Sequence, residues 1–353
     1  MNCSCFLSKC NFQLETCFRV TARFLSYNCS KNVSNEASNF RMNVNSLPIS
    51  HKNLYPWKTK TEFSQLIVSS IIHNKDGLIA INKPYGVKTK NFDKSGPVMD
   101  VNQSIPDYTL EDAMPALQEH LNVPELIVSK TCERYSSGVV LLSSSKKIDS
   151  DVTKSFRIAR HQQKNHLTHW IITLGYPVLN FKKETVGLNF LRSKESKTKQ
   201  AIIVDSPSKR SRKRRTVLFY RVEYQAICVN PSLETSLIEI SSSSDTSHFI
   251  RVYASNCIAP VLGDPIYSCR MKKLLGIPVK VHLQNFESFK MQPISDQMAA
   301  KLSLPKGVIG HTKIPTMLHL RKVLLPSFNG EDLLISAELP PHFQWMAKTM
   351  NLL

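Results

Sequence analysis

The chain has 353 residues, 42% of them hydrophobic, with 46 Lys and Arg against 27 Asp and Glu, for a formal charge of +19. That length and apolar content suit one large domain or two lobes, and no apolar run reaches the roughly 20 residues a membrane helix needs. The cationic surplus favours a polyanionic partner. Of nine cysteines, Cys3, Cys5, Cys10, Cys17 and Cys29 crowd the first thirty residues, while Cys132, Cys228, Cys257 and Cys269 are scattered. The odd count and the scatter argue for free thiols in a reducing compartment, and Cys3 and Cys5 are too close for a zinc pair.

Residues 1–45 are basic, Ser-rich and poor in acid, with Phe18, Val20, Phe24 and Leu25 interleaved with arginines. This is the composition of a mitochondrial leader, and Arg23-Phe24-Leu25-Ser26 resembles a matrix processing site. A disordered tail without an address is the other reading. Residues 46–64, with Pro48, Pro56 and mixed charge, read as a linker. Ile71-Ile72, Asp76-Gly77 and Leu78 to Ile81 form a hairpin signal with Asp-Gly at the turn, followed by the loop Asn82-Lys83-Pro84-Tyr85-Gly86. Thr109 to Leu121 is expected to be helical, with Thr109 and Asp112 as a capping box and Leu110, Met114, Leu117 and Leu121 on one face.

Leu126 to Val128 and Val139 to Leu142 are short apolar runs that flank the polar stretch Lys130 to Ser137, which ends at Gly138. Strand, tight loop, strand is the expected order, and such a loop can present a polar side chain from a rigid base. Glu133 is its only carboxylate. Lys146 to Gln162 is a second helix, with Ile148, Val152 and Phe156 inward, and Thr168 to Leu174 is a strand ending at Gly175. Residues 182–215 hold twelve basic side chains against Glu184, Glu195 and Asp205, densest at Lys209 to Arg215, KRSRKRR. This basic insertion reads as a solvated loop able to lie along phosphates; a nuclear import signal has the same composition. Strands are expected at Val217 to Tyr224 and at Ser236 to Ile240, the latter with one wet and one dry face. A helix is expected to start near His248, capped by Asp245 or Ser247. Pro260 to Tyr267 is a structured loop, Met317 to Leu325 and Leu333 to Ala337 are late strands, and residues 338–353 form an amphipathic C-terminal extension. No glycine-rich nucleotide loop, GxGxxG, HExxH or paired-Cys motif occurs, so no cofactor, nucleotide or metal is expected.

Three separated stretches resemble the RluA-type RNA pseudouridine synthases. Asp76-Gly77-Leu78 through Gly86 resembles their first motif. Glu133 through Leu142 stands where their catalytic loop stands, with Ser136-Ser137-Gly138 on its Thr-Ser-Gly. Ser247-His248-Phe249-Ile250-Arg251-Val252 and Leu262-Gly263-Asp264-Pro265-Ile266-Tyr267 resemble their third motif. The resemblance covers residues 65–337, and the Ser-Ser-Gly loop and Leu-Pro-Pro ending resemble the family's mitochondrial mRNA branch. It implies an α+β fold, a mixed, largely antiparallel sheet with flanking helices around a central RNA cleft. It implies cofactor-free isomerisation of uridine in RNA, mitochondrial mRNA or rRNA. In the family a loop aspartate acts on the sugar, a tyrosine packs on the extruded base, and an arginine pairs with the aspartate. Here those positions read Glu133, His169 and Arg251, with Thr131-Cys132 in place of Arg-Leu before the carboxylate. Lys83, Arg134, Lys209, Arg210, Arg212, Lys213, Arg214 and Arg215 are the residues expected on RNA phosphates. The same residues serve a second reading, an RNA-binding or assembly factor on a lapsed synthase scaffold.

Overall fold

The computed structural model describes residues 54–90, 108–192, 199–204, 210, 216–274, 277–281 and 292–353. The expected leader, residues 1–45, lies outside them. The expected linker 46–64 is packed from Leu54 onward. Trp57 is buried, with its ring 5.2 Å from that of Phe63. Helix α1, Lys60–Ser69, then starts at a Thr59 cap whose hydroxyl accepts from the Glu62 N–H at 3.2 Å.

Strands β1 (Ile71–Lys75) and β2 (Leu78–Lys83) form the expected hairpin. Asp76 and Gly77 both have positive φ, 54° and 77°, as a two-residue turn matched to strand twist requires. Helix α2, Leu110–Leu121, follows; the Thr109 N–H and hydroxyl both donate to Asp112, at 2.9 and 2.8 Å. Then come β3 (Ile127–Lys130), β4 (Ser137–Ser143), α3 (Lys146–His161) and β5 (Leu167–Leu174). Part of the expected basic loop is instead two strands, β6 (Phe181–Arg192) and β7 (Lys199–Val204). Val186, Leu188 and Ala201 are buried there, so the apolar alternation beneath the charges governs.

Next are β8 (Leu218–Asn230), β9 (Thr235–Ser242), α4 (Phe249–Cys257), β10 (Met271–Leu274), β11 (Ile277–Lys280), α5 (Asp296–Lys301), β12 (Leu318–Phe328), β13 (Glu331–Ser336) and α6 (Pro341–Thr349). The main sheet runs β1-β2-β4-β12-β5-β9-β8-β6-β7, with β13 on β12 and β3 on β4; β10 and β11 pair separately. Among these pairs β4 with β12 is parallel and the others are antiparallel.

Helices cover the sheet in three groups. Phe63 and Ile67 of α1, Leu110 and Leu117 of α2, and Val152 of α3 join β2, β4 and β12 in one core. Phe249, Val252 and Tyr253 of α4 pack on Ile171, Ile238 and Ile240. Met298 of α5 and Phe343 and Met346 of α6 pack with Ile172 and Leu237. Neighbouring residues of β5 and β9 thus enter different cores, because successive strand side chains point to opposite faces. Both faces of β9 are dry, which replaces the expected wet face; only Glu239 and Ser241 are part-exposed. The C-terminal extension is likewise core, since α6 supplies Phe343 and Met346 with no solvent exposure. This is the mixed, largely antiparallel α+β architecture expected.

Candidate active site

The loop between β3 and β4 is built against its neighbours on every side. Gly138, the second residue of β4, has φ +124°, and a Cβ there would lie 2.2 Å from the Leu320 carbonyl oxygen. The reason for glycine is thus the close parallel approach of β12, where Leu320 is its register partner. Within the loop the Ser136 N–H and hydroxyl both donate to the Glu133 carbonyl, at 3.2 and 2.9 Å. The Gly86 N–H donates to the Arg134 carbonyl at 3.0 Å, and the Arg134 Nε donates back to the Gly86 carbonyl at 3.2 Å. These bonds fasten the Glu133 loop to the loop after β2.

Lys83 completes that fastening, which corrects its expected place on RNA. Its side chain is fully buried, and its ammonium donates to the carbonyls of Pro84, Val87, Arg134 and Ser136 at 3.2, 3.1, 3.4 and 2.8 Å. It has no free face to offer a phosphate. The sequence held the signal: Lys83 is in step with Ile79 and Ile81, on the inward side of β2. Arg134 is corrected for the same reason, being buried and turned onto Gly86, with its guanidinium 5.1 Å from the Tyr135 ring. Of the basic run, Arg210 is exposed, while Lys209, Arg212, Lys213, Arg214 and Arg215 lie outside the described residues.

The fold brings Glu133 and Arg251 together, as expected, and adds His248 and Asp264. The Arg251 Nη1 donates to Glu133 Oε2 at 3.1 Å, and the His248 Nδ1 lies 2.8 Å from the same oxygen. His248 immediately precedes α4, and Arg251 stands in its first turn, with the Arg251 Nη1 3.2 Å from the His248 Nδ1. Arg251 is held from behind by a two-pronged bond to Asp264, Nε to Oδ2 at 3.0 Å and Nη2 to Oδ1. Asp264 in turn accepts from the Ile266 and Tyr267 N–H groups at 2.8 and 3.0 Å. The Tyr267 ring lies 5.2 Å from the Arg251 guanidinium. Gly263 permits this loop: at φ +78° a Cβ would meet the Pro315 carbonyl oxygen at 2.2 Å. Asp264 and His248 were in the motifs of the sequence but carried no role there; their contacts supply one.

The electrostatics favour charge at the centre. Burial raises the Glu133 pKa, but the His248 hydrogen bond and the Arg251 charge outweigh it and hold the carboxyl below its usual range. Asp264 is also held low, against its burial, by Arg251 and two backbone N–H groups. Arg251, buried between two carboxylates, is pushed up and stays a cation. Arg251 and Asp264 are sealed in, while the Glu133 and His248 side chains remain 19% and 43% exposed. The arrangement presents an ionised, oriented carboxylate to solvent on a rigid base.

Neither Asp245 nor Ser247 caps α4 as expected. A 3-10 turn, Thr246–His248, precedes it, and Ser247 and His248 both take left-handed backbone angles, φ 59° and 58°. Asp245 bonds Lys130 Nζ at 2.7 Å instead. His169 also departs from expectation. It is buried, 3% exposed, with its Nε2 3.7 Å from Asp245, so its ring has no open face for a base. A separate cleft of about 550 Å³ is lined by Tyr176, Pro260, Asp264, Ile294 and Met298 among others, but not by Glu133, His248 or Arg251. Glu133 and His248 lie at the surface, an arrangement that suits a large partner better than an enclosed small molecule. Among the described residues no group of three His, Cys, Asp or Glu side chains gathers as a metal site, and no helix is long and apolar enough to cross a membrane. Cys132, Cys228, Cys257 and Cys269 are free thiols.

Comparison with known proteins gives relatives of one kind. The chain is 25% identical over 301 residues to the human "Mitochondrial mRNA pseudouridine synthase RPUSD3", covering 83% of this chain and 79% of that protein. It is 24% identical over 287 residues to the bovine "Pseudouridylate synthase RPUSD4, mitochondrial", covering 77% and 67%. No family model matches. The solved structure "Human RNA Pseudouridylate Synthase Domain Containing 4" superposes with a TM-score of 0.59 at 19% identity, over 83% of this chain and 97% of that one, and shares its fold. Taken with the two sequence relatives, that fold makes this chain a distant relative of the pseudouridine synthases.

Proposed function

We propose that the chain isomerises uridine to pseudouridine in mitochondrial RNA, of the mRNA class named for its human relative, with Glu133 as the catalytic carboxylate. The observation that carries this is the ionised Glu133, aimed by Arg251 and Asp264 from a rigid loop open to solvent. In the reaction the bond from C1′ to N1 breaks and a bond from C1′ to C5 forms. The proton on C5 leaves and N1 regains one. Nothing is oxidised or reduced, so side chains suffice. Glu133 attacks the ribose or takes its proton, and Arg251 fixes its oxygens. Lys209, Arg210, Arg212, Lys213, Arg214 and Arg215 grip phosphates, which offsets the few kcal/mol of unstacking a base. The leader over residues 1–45 carries the chain to the matrix.

A glutamate carries one methylene more than the aspartate of the resembling family. A displacement of about 1 Å can cost on the order of 10²-fold in rate, so slow turnover is expected. The test is release of tritium from RNA transcribed with 5-tritiated uridine from mitochondrial mRNA templates. Wild type releases tritium, and Glu133→Ala does not while still binding the RNA. Binding without release in the wild type would overturn the enzyme and leave an RNA-holding factor on this fold.

A further inference from the structure

Beside the Glu133 centre lies a second buried charge cluster that the reaction does not use. Lys130 Nζ meets Asp245 Oδ2 at 2.7 Å, and His169 Nε2 lies 3.7 Å from that same oxygen. The three side chains are 15%, 12% and 4% exposed. Lys130 stands three residues before Glu133, and Asp245 stands three residues before His248. The loop therefore carries a cation then an anion, and the turn carries an anion then an imidazole. They meet rung to rung, Lys130 on Asp245 and Glu133 on His248, at 2.7 and 2.8 Å.

Between the two rungs the turn is strained. Ser247 and His248 are consecutive non-glycine residues in the left-handed region, which their side chains disfavour. That twist aims His248 at Glu133. A strained turn persists only when its surroundings fix both ends. One end is fixed by Glu133 itself. The other is fixed at Asp245, with lighter support from the Tyr220 hydroxyl on Thr246 at 2.8 Å and Ser244 on the Thr246 N–H at 3.3 Å.

We propose that Lys130 and Asp245 are a positioning pair, which clamps the strained turn so that His248 and Arg251 meet the Glu133 carboxylate. This deepens the synthase reading and rests on it for its effect on turnover. Removing the clamp lets Ser247 and His248 relax to right-handed backbone, and His248 leaves Glu133. The pair touches no substrate; it acts through His248. Facing Asp245 are Lys130, His169 and, at longer range, His166. Facing Glu133 are His248 and Arg251, with Lys83 and Tyr267 farther off.

The test uses the full chain with two readouts. One is the titration of the Glu133 carboxyl followed by carbon NMR, which needs no activity. The other is kcat and KM from tritium release. Asp245→Asn keeps shape and removes charge; Lys130→Gln breaks the same bond from the other side, so a folding failure in one leaves the other to decide. In either variant Glu133 is expected to titrate closer to an ordinary glutamate, and kcat to fall about 10- to 100-fold with KM little changed. Lys130→Glu is expected to be worse than either, and adding Asp245→Lys to it to recover both readouts. Unchanged Glu133 titration and kcat in a folded Asp245→Asn or Lys130→Gln would overturn the proposal. So would an exchange variant no better than Lys130→Glu alone. A wild type without tritium release defeats the synthase reading, and the Glu133 titration then still decides on the clamp.

Discussion

Two parts of this molecule bury titratable groups, and they do so in opposite ways. At Arg251 the fold buries charge and answers it: one cation sits between Asp264 and Glu133, and each carboxylate is held below its usual range. Just before β5, and in β12 and α6, it buries imidazoles and keeps them neutral. His319 and His342 are pushed down to about 3 and His166 to about 4, chiefly by burial. His319 is satisfied as a neutral ring, with Nδ1 2.9 Å from the Ser137 hydroxyl and Nε2 3.4 Å from the Ala337 carbonyl. Loss of water weighs heavily in both places, so burial alone does not decide the charge state. A countercharge within hydrogen-bond reach does.

The strongest way to break this contrast is to remove the cation. Arg251→Leu removes the countercharge from both carboxylates, leaving fully buried Asp264 with only the Ile266 and Tyr267 N–H groups and partly buried Glu133 with only His248. Breaking a buried pair from one side costs about 3–5 kcal/mol, far more than the pair itself contributes. Chemical denaturation should show a loss of that size, and turnover should vanish with it. Adding Asp264→Asn removes one orphaned charge and should recover part of the stability but none of the activity. No recovery would mean that the loss comes from packing of the arginine stem.

Lys83 lies between the two cases, a buried cation facing carbonyls and no carboxylate. Burial lowers its pKa, and nearby Cys132 and Glu133 only partly oppose that while Arg134 adds to it. Lys83→Met keeps most of the volume and strands the carbonyls of Val87 and Ser136. Leaving buried polar groups unpaired costs about 1–3 kcal/mol, so the expected loss in denaturation is smaller than for Arg251→Leu. RNA affinity at fixed salt should stay unchanged, because the ammonium faces inward. A drop in affinity without a drop in stability would return Lys83 to the RNA surface.

The same contrast explains what the sequence disclosed. Local rules carried the Asp76-Gly77 turn and the Thr109 cap, because each depends on backbone angles or neighbours within a few residues; Gly138 and Gly263 stood out as glycines, but the Leu320 and Pro315 carbonyls that require them come from far along the chain. The Glu133 and Arg251 pairing was legible only through the family resemblance, since 118 residues separate them. What failed were statements about where a charge ends up. Lys83 and Arg134 read as surface cations, His169 as an open ring and Asp245 as a helix cap. Their fates are set by partners from other elements: the Ser136 carbonyl, the Gly86 carbonyl and Lys130. A charged residue carries no local mark of whether its countercharge will arrive from 115 residues away.

The neutral imidazoles give the smallest of these effects, through acid. The unfolded chain takes up a proton at each histidine as pH falls through 6.5, while folded His319 and His342 take none until about pH 3. Acid therefore favours the unfolded state, and stability present above pH 6.5 is lost progressively below it. Each such imidazole is expected to cost about 1.4 kcal/mol by pH 5.5. Glu133, Asp245 and Asp264 behave as depressed carboxylates. Their contribution is present above the ordinary carboxylate range and is lost only as pH falls below it, so the window from 6.5 to 5.5 belongs to the histidines. His342 is the one to test, being buried beside the Tyr85 ring at 5.5 Å and lowered by burial alone. In urea denaturation at stepped pH, His342→Leu should flatten the fall between pH 6.5 and 5.5 by one imidazole's share. An unchanged slope would mean that His342 is already protonated in the folded chain, and the neutral half of the contrast would fail at that member.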